Sequence, residues 1–363
     1  MRTQLFPPEP LCAKSMVPIY LRYPNALENW TKVNDLMWFR MVTAALLGFA
    51  LIAFSQPVSA AQKGKTFTLR VLSYNVNDLP WPLRKKSKAA MKFIGRDLAR
   101  RRADGTAPDI VLLQEAFTDR SKKLVKLAGY PHVQRGPGRR KAQGSLAAEQ
   151  RPAKIQMRAA SRGVESDKYV SSGLYVLSKY PIVGSAFELF GESCSGNDCK
   201  ANKAILLVRI QLPGMTKPLD VLTSHMDANV KREASAKKRR KAHRKQTEIV
   251  KAFIDRFNGA RSALFAGDLN IKDAARYKYF VQRLGVVNAG EVCVANQKKC
   301  RLGTHATPDS LWRKTNDHHF IVQGSDFDIA PVFMERNYDQ RVKGKRLSDH
   351  LGFEAIYQVT PKR

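Results

Sequence analysis

A series of short apolar segments runs through this chain, and each breaks off at a polar residue of a kind that can do chemistry. Residues 69–76 (LRVLSYNV) alternate and stop at Asn77-Asp78 and Pro80, and 109–113 (DIVLL) stop at Gln114-Glu115. Residues 172–178 lead to Tyr180-Pro181, while 204–212 and 219–223 read as a hairpin over Pro213-Gly214 that ends at Ser224-His225. The run 262–266 ends at Gly267-Asp268-Leu269-Asn270, 319–322 follow Asp317, and 352–359 follow Asp349-His350. Helical patterns at 89–101 and 248–257 intervene. The second carries Ile249, Val250, Phe253, Ile254 and Phe257 on one stripe. Strands mixed with helices predict an α/β chain whose sheets are covered by helices. Rigid strands fix their ends while the following loops leave room for a ligand, so polar residues gathered at strand ends predict a site.

Several features point to export. Residues 41–54 (MVTAALLGFALIAF) form an apolar run after Arg40, followed by Val58-Ser59-Ala60. A positive start, a short apolar core and small residues at the cut predict a signal peptide cleaved near Ala60. The run is shorter than the roughly 20 residues a bilayer span needs. Residues 1–36, with Pro7-Pro8, fit a true start at Met37 or Met41. The expected division is 1–60 as extension and signal peptide, and 61–363 as one catalytic domain of a secreted or periplasmic protein, monomeric and without a protein partner. Beyond Cys12, Cys194, Cys199, Cys293 and Cys300 form two close pairs. In an oxidising compartment the expectation is Cys194–Cys199 and Cys293–Cys300, although four cysteines allow three connectivities.

The net charge is +32, with 44% hydrophobic residues, enough for a real core. Such a field concentrates polyanions and so predicts a polyanionic partner surface. Two basic runs, 135–162 and 231–245, read as loops beside the predicted site residues, placed to meet phosphates.

Taken singly, Glu115, His225, Asp268 or Asn270 is an ordinary strand-end or turn residue. In order, however, Tyr74-Asn75-Val76-Asn77, Leu113-Gln114-Glu115, the segment 172–182 (SGLYVLSKYPI), Thr223-Ser224-His225, Gly267-Asp268-Leu269-Asn270, Asp317-His318-His319-Phe320 and Ser348-Asp349-His350 resemble the endonuclease/exonuclease/phosphatase superfamily. The chain looks most like its bacterial sphingomyelinase branch, the secreted neutral phospholipases C. Leu79-Pro80-Trp81, Glu115-Ala116-Phe117 with Asp119-Arg120, Asn202-Lys203-Ala204 after Cys194, and Gln246 with Val250 and Phe253 carry that finer likeness. It departs where those enzymes carry a Trp/Phe-bearing hairpin before the last Ser-Asp-His, since residues 337–347 here read NYDQRVKGKRL. His243 also replaces an Arg, and the run 135–162 looks inserted.

The resemblance implies a four-layer α/β sandwich and hydrolysis of a phosphodiester with Mg²⁺, or Mn²⁺ or another divalent cation. It implies Glu115 as principal metal ligand, with Asn75 and Asp349 beside it. His350 or Asp268 would serve as general base, Asp317 would orient His350, Asn270 would position the phosphate or the nucleophile, and His225 would donate to the phosphoryl oxygens. Asn77 and Trp81 are expected at the substrate, whereas His318 and His319 are expected to be structural. The substrate is then a phospholipid head group or, as the alternative, nucleic acid tracked by the basic loops. A non-catalytic polyanion-binding module is disfavoured because the motif residues are all present.

Overall fold

The computed structural model describes residues 65–84, 88–139 and 168–362. The expected leader, its cleavage site and most of the basic run 135–162 lie outside the described residues. The elements, in chain order, are β1 (Phe67–Asp78), α1 (Lys88–Ala103), β2 (Ile110–Ala116), α2 (Asp119–Ala128), β3 (His132–Arg135), β4 (Tyr175–Ser178), β5 (Ile182–Leu189), β6 (Ala204–Ile210) and β7 (Leu219–His225). Next come α3 (Ala236–Phe253), β8 (Ala263–Asp268), α4 (Ala274–Leu284), β9 (Val287–Asn288), α5 (Ala289–Ala295) and β10 (Arg301–Leu302). The chain then continues through β11 (Asp317–Val322), β12 (Phe327–Asn337), β13 (Arg341–Val342), β14 (Lys345–Arg346) and β15 (Gly352–Pro361).

Strand alternation sorts these elements into layers. On β1, Leu69 and Val71 face one way and meet Ile110, Leu112, Val221, Leu264 and Tyr357 in the largest core cluster. Leu72, Tyr74 and Val76 face the other way, against Met91, Ile94 and Leu98 of α1 and Leu124 of α2. A third cluster joins Leu207, Leu222, Phe265 and Phe320 to Val250 and Phe253 of α3 and Phe280 of α4. One sheet runs β10-β12-β15-β1-β2-β4-β3 and the other β5-β6-β7-β8-β11-β9, with β13–β14 a separate hairpin. The result is a four-layer α/β sandwich: helices, sheet, sheet, helices. The β6–β7 hairpin and both disulfides form as the spacing predicts.

The basic run 231–245 departs from its expected loop. Its second half is the first half of α3, where the Ser235 side chain accepts from the Lys238 N–H as N-cap, and Arg239, Ala242, His243 and Gln246 make a buried face. Lys and Arg are good helix formers, and their charge conceals the period from a hydrophobicity reading.

Candidate active site

The site continues the inter-sheet core one step past its apolar part. The alternation that buries Leu219, Val221, Leu264, Ala266 and Ile321 between the sheets also points His225, Asp268 and Asp317 there. Those three are direct register partners across β7, β8 and β11. Gly267 lets β7 and β8 approach, because a Cβ there would lie 2.2 Å from the Ser224 carbonyl oxygen. From the other sheet, Asn75 at the end of β1 bridges the seam, its Nδ2 donating to Asp268 Oδ2 at 2.9 Å and to Glu115 Oε1 at 3.1 Å.

Glu115 breaks the alternation. Gln114 faces inward, donating to Ser73 Oγ and Thr223 Oγ1, so a regular strand would send Glu115 outward. A left-handed backbone (φ 53°) re-aims it, and Asn77 (φ 48°) and Asn270 (φ 53°) share that conformation. Such strain persists only where the surroundings impose it, and it concentrates at functional sites.

Asp268 sits at the centre. Its Oδ2 lies 3.5 Å from His225 Nε2 and 3.7 Å from His350 Nε2. His350 Nδ1 lies 3.0 Å from Asp317 Oδ2, which also accepts from buried Arg336 at 3.2 Å. Burial alone would lower the His350 pKa, but Asp317 and Asp268 outweigh it and hold the imidazole far above the ordinary histidine range. Burial pushes Asp317 up, yet His350 and Arg336 leave it below the usual carboxylate range. Burial raises Asp268. Burial and the Lys203 ammonium keep His225 neutral, while Glu115 is pushed up to about 7, chiefly by burial.

An open cleft of about 460 Å³ lies beside this group, lined by Asn77, Leu83, Arg84, Glu115, Arg346 and Asp349. Its oxygen donors suit a hard cation: the Glu115 carboxylate, the Asp349 carboxylate, and Asn77 Oδ1, which is buried without a hydrogen-bond partner. Asn77 Nδ2 also donates to Asp349 Oδ1 at 2.6 Å. Asn75, expected as a ligand, accepts the Asn77 N–H with Oδ1 and holds the two acids with Nδ2, so its carbonyl oxygen faces this cleft edge with one lone pair still to give. Asn270 Nδ2 ties its loop to the Met226 carbonyl at 3.0 Å. Trp81, expected at the substrate, does not line the cleft and stands 77% exposed beside it, with neighbouring Leu83 forming part of the wall. His319 faces the inter-sheet core, bonding the Tyr357 hydroxyl and the Phe353 carbonyl, and His318 faces the helical layer at Asn288. Both are fully buried because both faces of β11 are covered.

Two cations have a place at the site that the sequence reading did not assign: Lys203, read there only as part of a motif, and Arg336. Lys203 is buried, with Nζ 3.2 Å from His225 Nε2 and 2.6 Å from Asp198 Oδ1. Arg336 stands behind Asp317. A lone Lys or Arg carries no motif of its own. The available signal was position, since Lys203 directly precedes the strand that pairs with β7.

No family model matches the chain. Sphingomyelinase C 2 of Leptospira interrogans serogroup Icterohaemorrhagiae serovar Lai (strain 56601) is 26% identical over 233 residues, 61% of this chain and 34% of the relative, so the chain spans about a third of that relative's length. Among solved structures, beta toxin of Staphylococcus aureus superposes with a TM-score of 0.55 at 20% identity, over 79% of this chain and 99% of the toxin. Sphingomyelinase C of Streptomyces griseocarneus gives 0.52 at 20%, over 82% and 100%. A humanized D. rerio TDP2 gives 0.51 at 18%, over 80% and 98%. The chain therefore has the α/β-sandwich fold of these proteins, two of which are sphingomyelinases C, the branch that its motifs resemble.

Proposed function

We propose that this chain is a secreted, divalent-metal-dependent phosphodiesterase of sphingomyelinase type, a phospholipase C acting on a lipid head-group diester. The observation that carries the reading is the convergence of Glu115, Asn75, His225, Asp268, Asp317 and His350 from both sheets on one seam. A curated relative is a sphingomyelinase C, and one beta-toxin structure contains bound magnesium ions. A cation held by Glu115, Asp349 and Asn77 would neutralise charge on a non-bridging phosphoryl oxygen. Asp268, whose pKa burial raises above the ordinary carboxylate value, takes the proton of the attacking water. His350, kept cationic and oriented by Asp317, and His225, neutral beside Lys203, donate to the phosphoryl oxygens as negative charge builds on them.

A second reading is a nuclease. The +32 charge favours it, and a TDP2 structure of the same fold is complexed with a single-strand DNA product. Parallel assays on sphingomyelin vesicles and on plasmid DNA, each with Mg²⁺ and with EDTA, separate the two. Lipid cleavage that EDTA stops is the expected result. Cleavage of DNA alone would end the lipid reading, and turnover unaffected by EDTA would end the metal-dependent one.

A further inference from the structure

A second groove, of about 1020 Å³, lies between α1 and the β13–β14 hairpin. Lys88, Lys92, Arg96 and Arg100 wall it from α1, Lys343 comes from the hairpin, and Ala89, Phe93 and Val342 contribute apolar surface. The four α1 cations recur every fourth residue, so they stand in one row about 18 Å long. Like charges at that spacing repel, and the helix has no acid in its first turn to answer Lys88 against the dipole. Only Arg100 finds carboxylates, Asp97 and Asp104; among the described residues none pairs with Lys88, Lys92, Arg96 or Lys343. The hairpin repeats the pattern. Arg341 lies directly opposite Arg346, and its Lys343-Gly344 turn holds both residues at positive φ. Apart from Arg100, which Asp97 in the groove wall and Asp104 answer, these two facing elements carry self-repelling cations that have no ion-pair partner among the described residues.

The hairpin also joins this groove to the candidate active site, because Arg346 at its far end lines the catalytic cleft beside Leu83. Leu83 is 63% exposed and Trp81 77%, in the loop just before α1. Cations flanking exposed Trp and Leu side chains suit a surface of anionic head groups over an apolar interior. We propose that the α1 row and the β13–β14 hairpin are a docking surface for anionic phospholipid, which seats the catalytic cleft on a negatively charged membrane. Nucleic acid would match the charge but would leave Trp81 and Leu83 without a role. The proposal rests on the lipid reading given above.

Co-sedimentation of the full chain with vesicles of phosphatidylcholine, with and without phosphatidylglycerol, tests it. Binding to the anionic vesicles should be at least tenfold tighter and should weaken with salt. A triple variant, Lys92→Glu with Arg96→Glu and Lys343→Glu, should lose at least tenfold of that binding while hydrolysing the soluble diester bis(p-nitrophenyl) phosphate at the unaltered rate. Equal binding to both vesicle types, or an unaffected triple variant, overturns the proposal. Intact vesicle binding with affinity lost only for duplex DNA overturns it in favour of a nucleic-acid groove. Failure of the native chain to cleave any diester would instead sink the catalytic reading, and the vesicle-binding arm would still report on docking.

Discussion

Asn77, Glu115 and Asn270 hold left-handed backbone that only their surroundings enforce, and Glu115 holds it to bring a carboxylate into a buried place where its charge is disfavoured. Chemistry accounts for that arrangement better than stability does. Glu115→Ala should therefore melt no lower than the native chain in the absence of metal, while turnover falls about 10²-fold or more; near-native turnover would mean the site is misplaced. Asp268→Asn should cost about 10²–10⁴-fold in turnover, and near-native turnover would place the base elsewhere. His319 supplies a test of the fold. Burial lowers it to about 3, so above the unfolded value near 6.5 both states are neutral. As pH falls below 6.5 the unfolded chain gains a proton that the folded one refuses, and stability declines. His319→Gln should flatten the pH slope of the unfolding free energy between pH 5 and 6 by about 1.4 kcal/mol per unit, read from urea melts. An unchanged slope would mean the imidazole is charged in the fold.

The elements were legible wherever a period survived. β1, β2, β6, β7, β8, β11 and β15 could be read because each buries one or both faces without interruption. β12 was missed because Pro331 breaks its ladder with a register shift, and β5 because only its second half is buried. The site could be read for the same reason as the strands: Asn75, His225, Asp268 and Asp317 stand on the inward-facing period of strands whose other inward positions include Leu69, Val71, Leu219, Val221, Leu264, Ala266 and Ile321. Glu115 obeys no alternation and was found only through its motif. Lys203 was quoted only within a motif, and its role beside His225, like that of Arg336 behind Asp317, appears only in three dimensions. The α1 row gives a prediction of its own. Lys92→Glu would sit four residues from both Lys88 and Arg96, turning two repulsions into two attractions. It should raise stability by about 0.5–1 kcal/mol while weakening the anionic docking argued above. Loss of stability would mean that the row packs against something within the fold.

For the whole molecule, the sandwich draws Glu115, Asp268, Asp317 and Asp349 together where its two sheets meet, in a chain of otherwise overwhelming positive charge. His350 and Arg336 pair with Asp317, and the Lys203 charge acts on Asp268, so the inner acids are answered from within the protein. Glu115 and Asp349 at the cleft have amides, the Ser348 hydroxyl and the His225 imidazole beside them but, among the described residues, no ion-paired Lys or Arg, and burial pushes the Glu115 carboxyl up to about 7. Filling that deficit from solution should show as stability, because the ligand atoms come from β1, β2 and the loop before β15 and assemble only in the folded chain. A ligand that binds only the folded state stabilises it by about 2.7 kcal/mol at a hundredfold excess over its Kd. For a domain of this size that is about 5 °C in Tm. Saturating Mg²⁺ should therefore raise the melting temperature by about that much over EDTA. Glu115→Ala and Asp349→Ala should each abolish the shift, and Asp317→Asn should largely retain it, since Asp317 is held by His350 and Arg336 on the inner side. A native chain that melts alike in both conditions would show that these oxygens hold no cation at that concentration, whatever their arrangement.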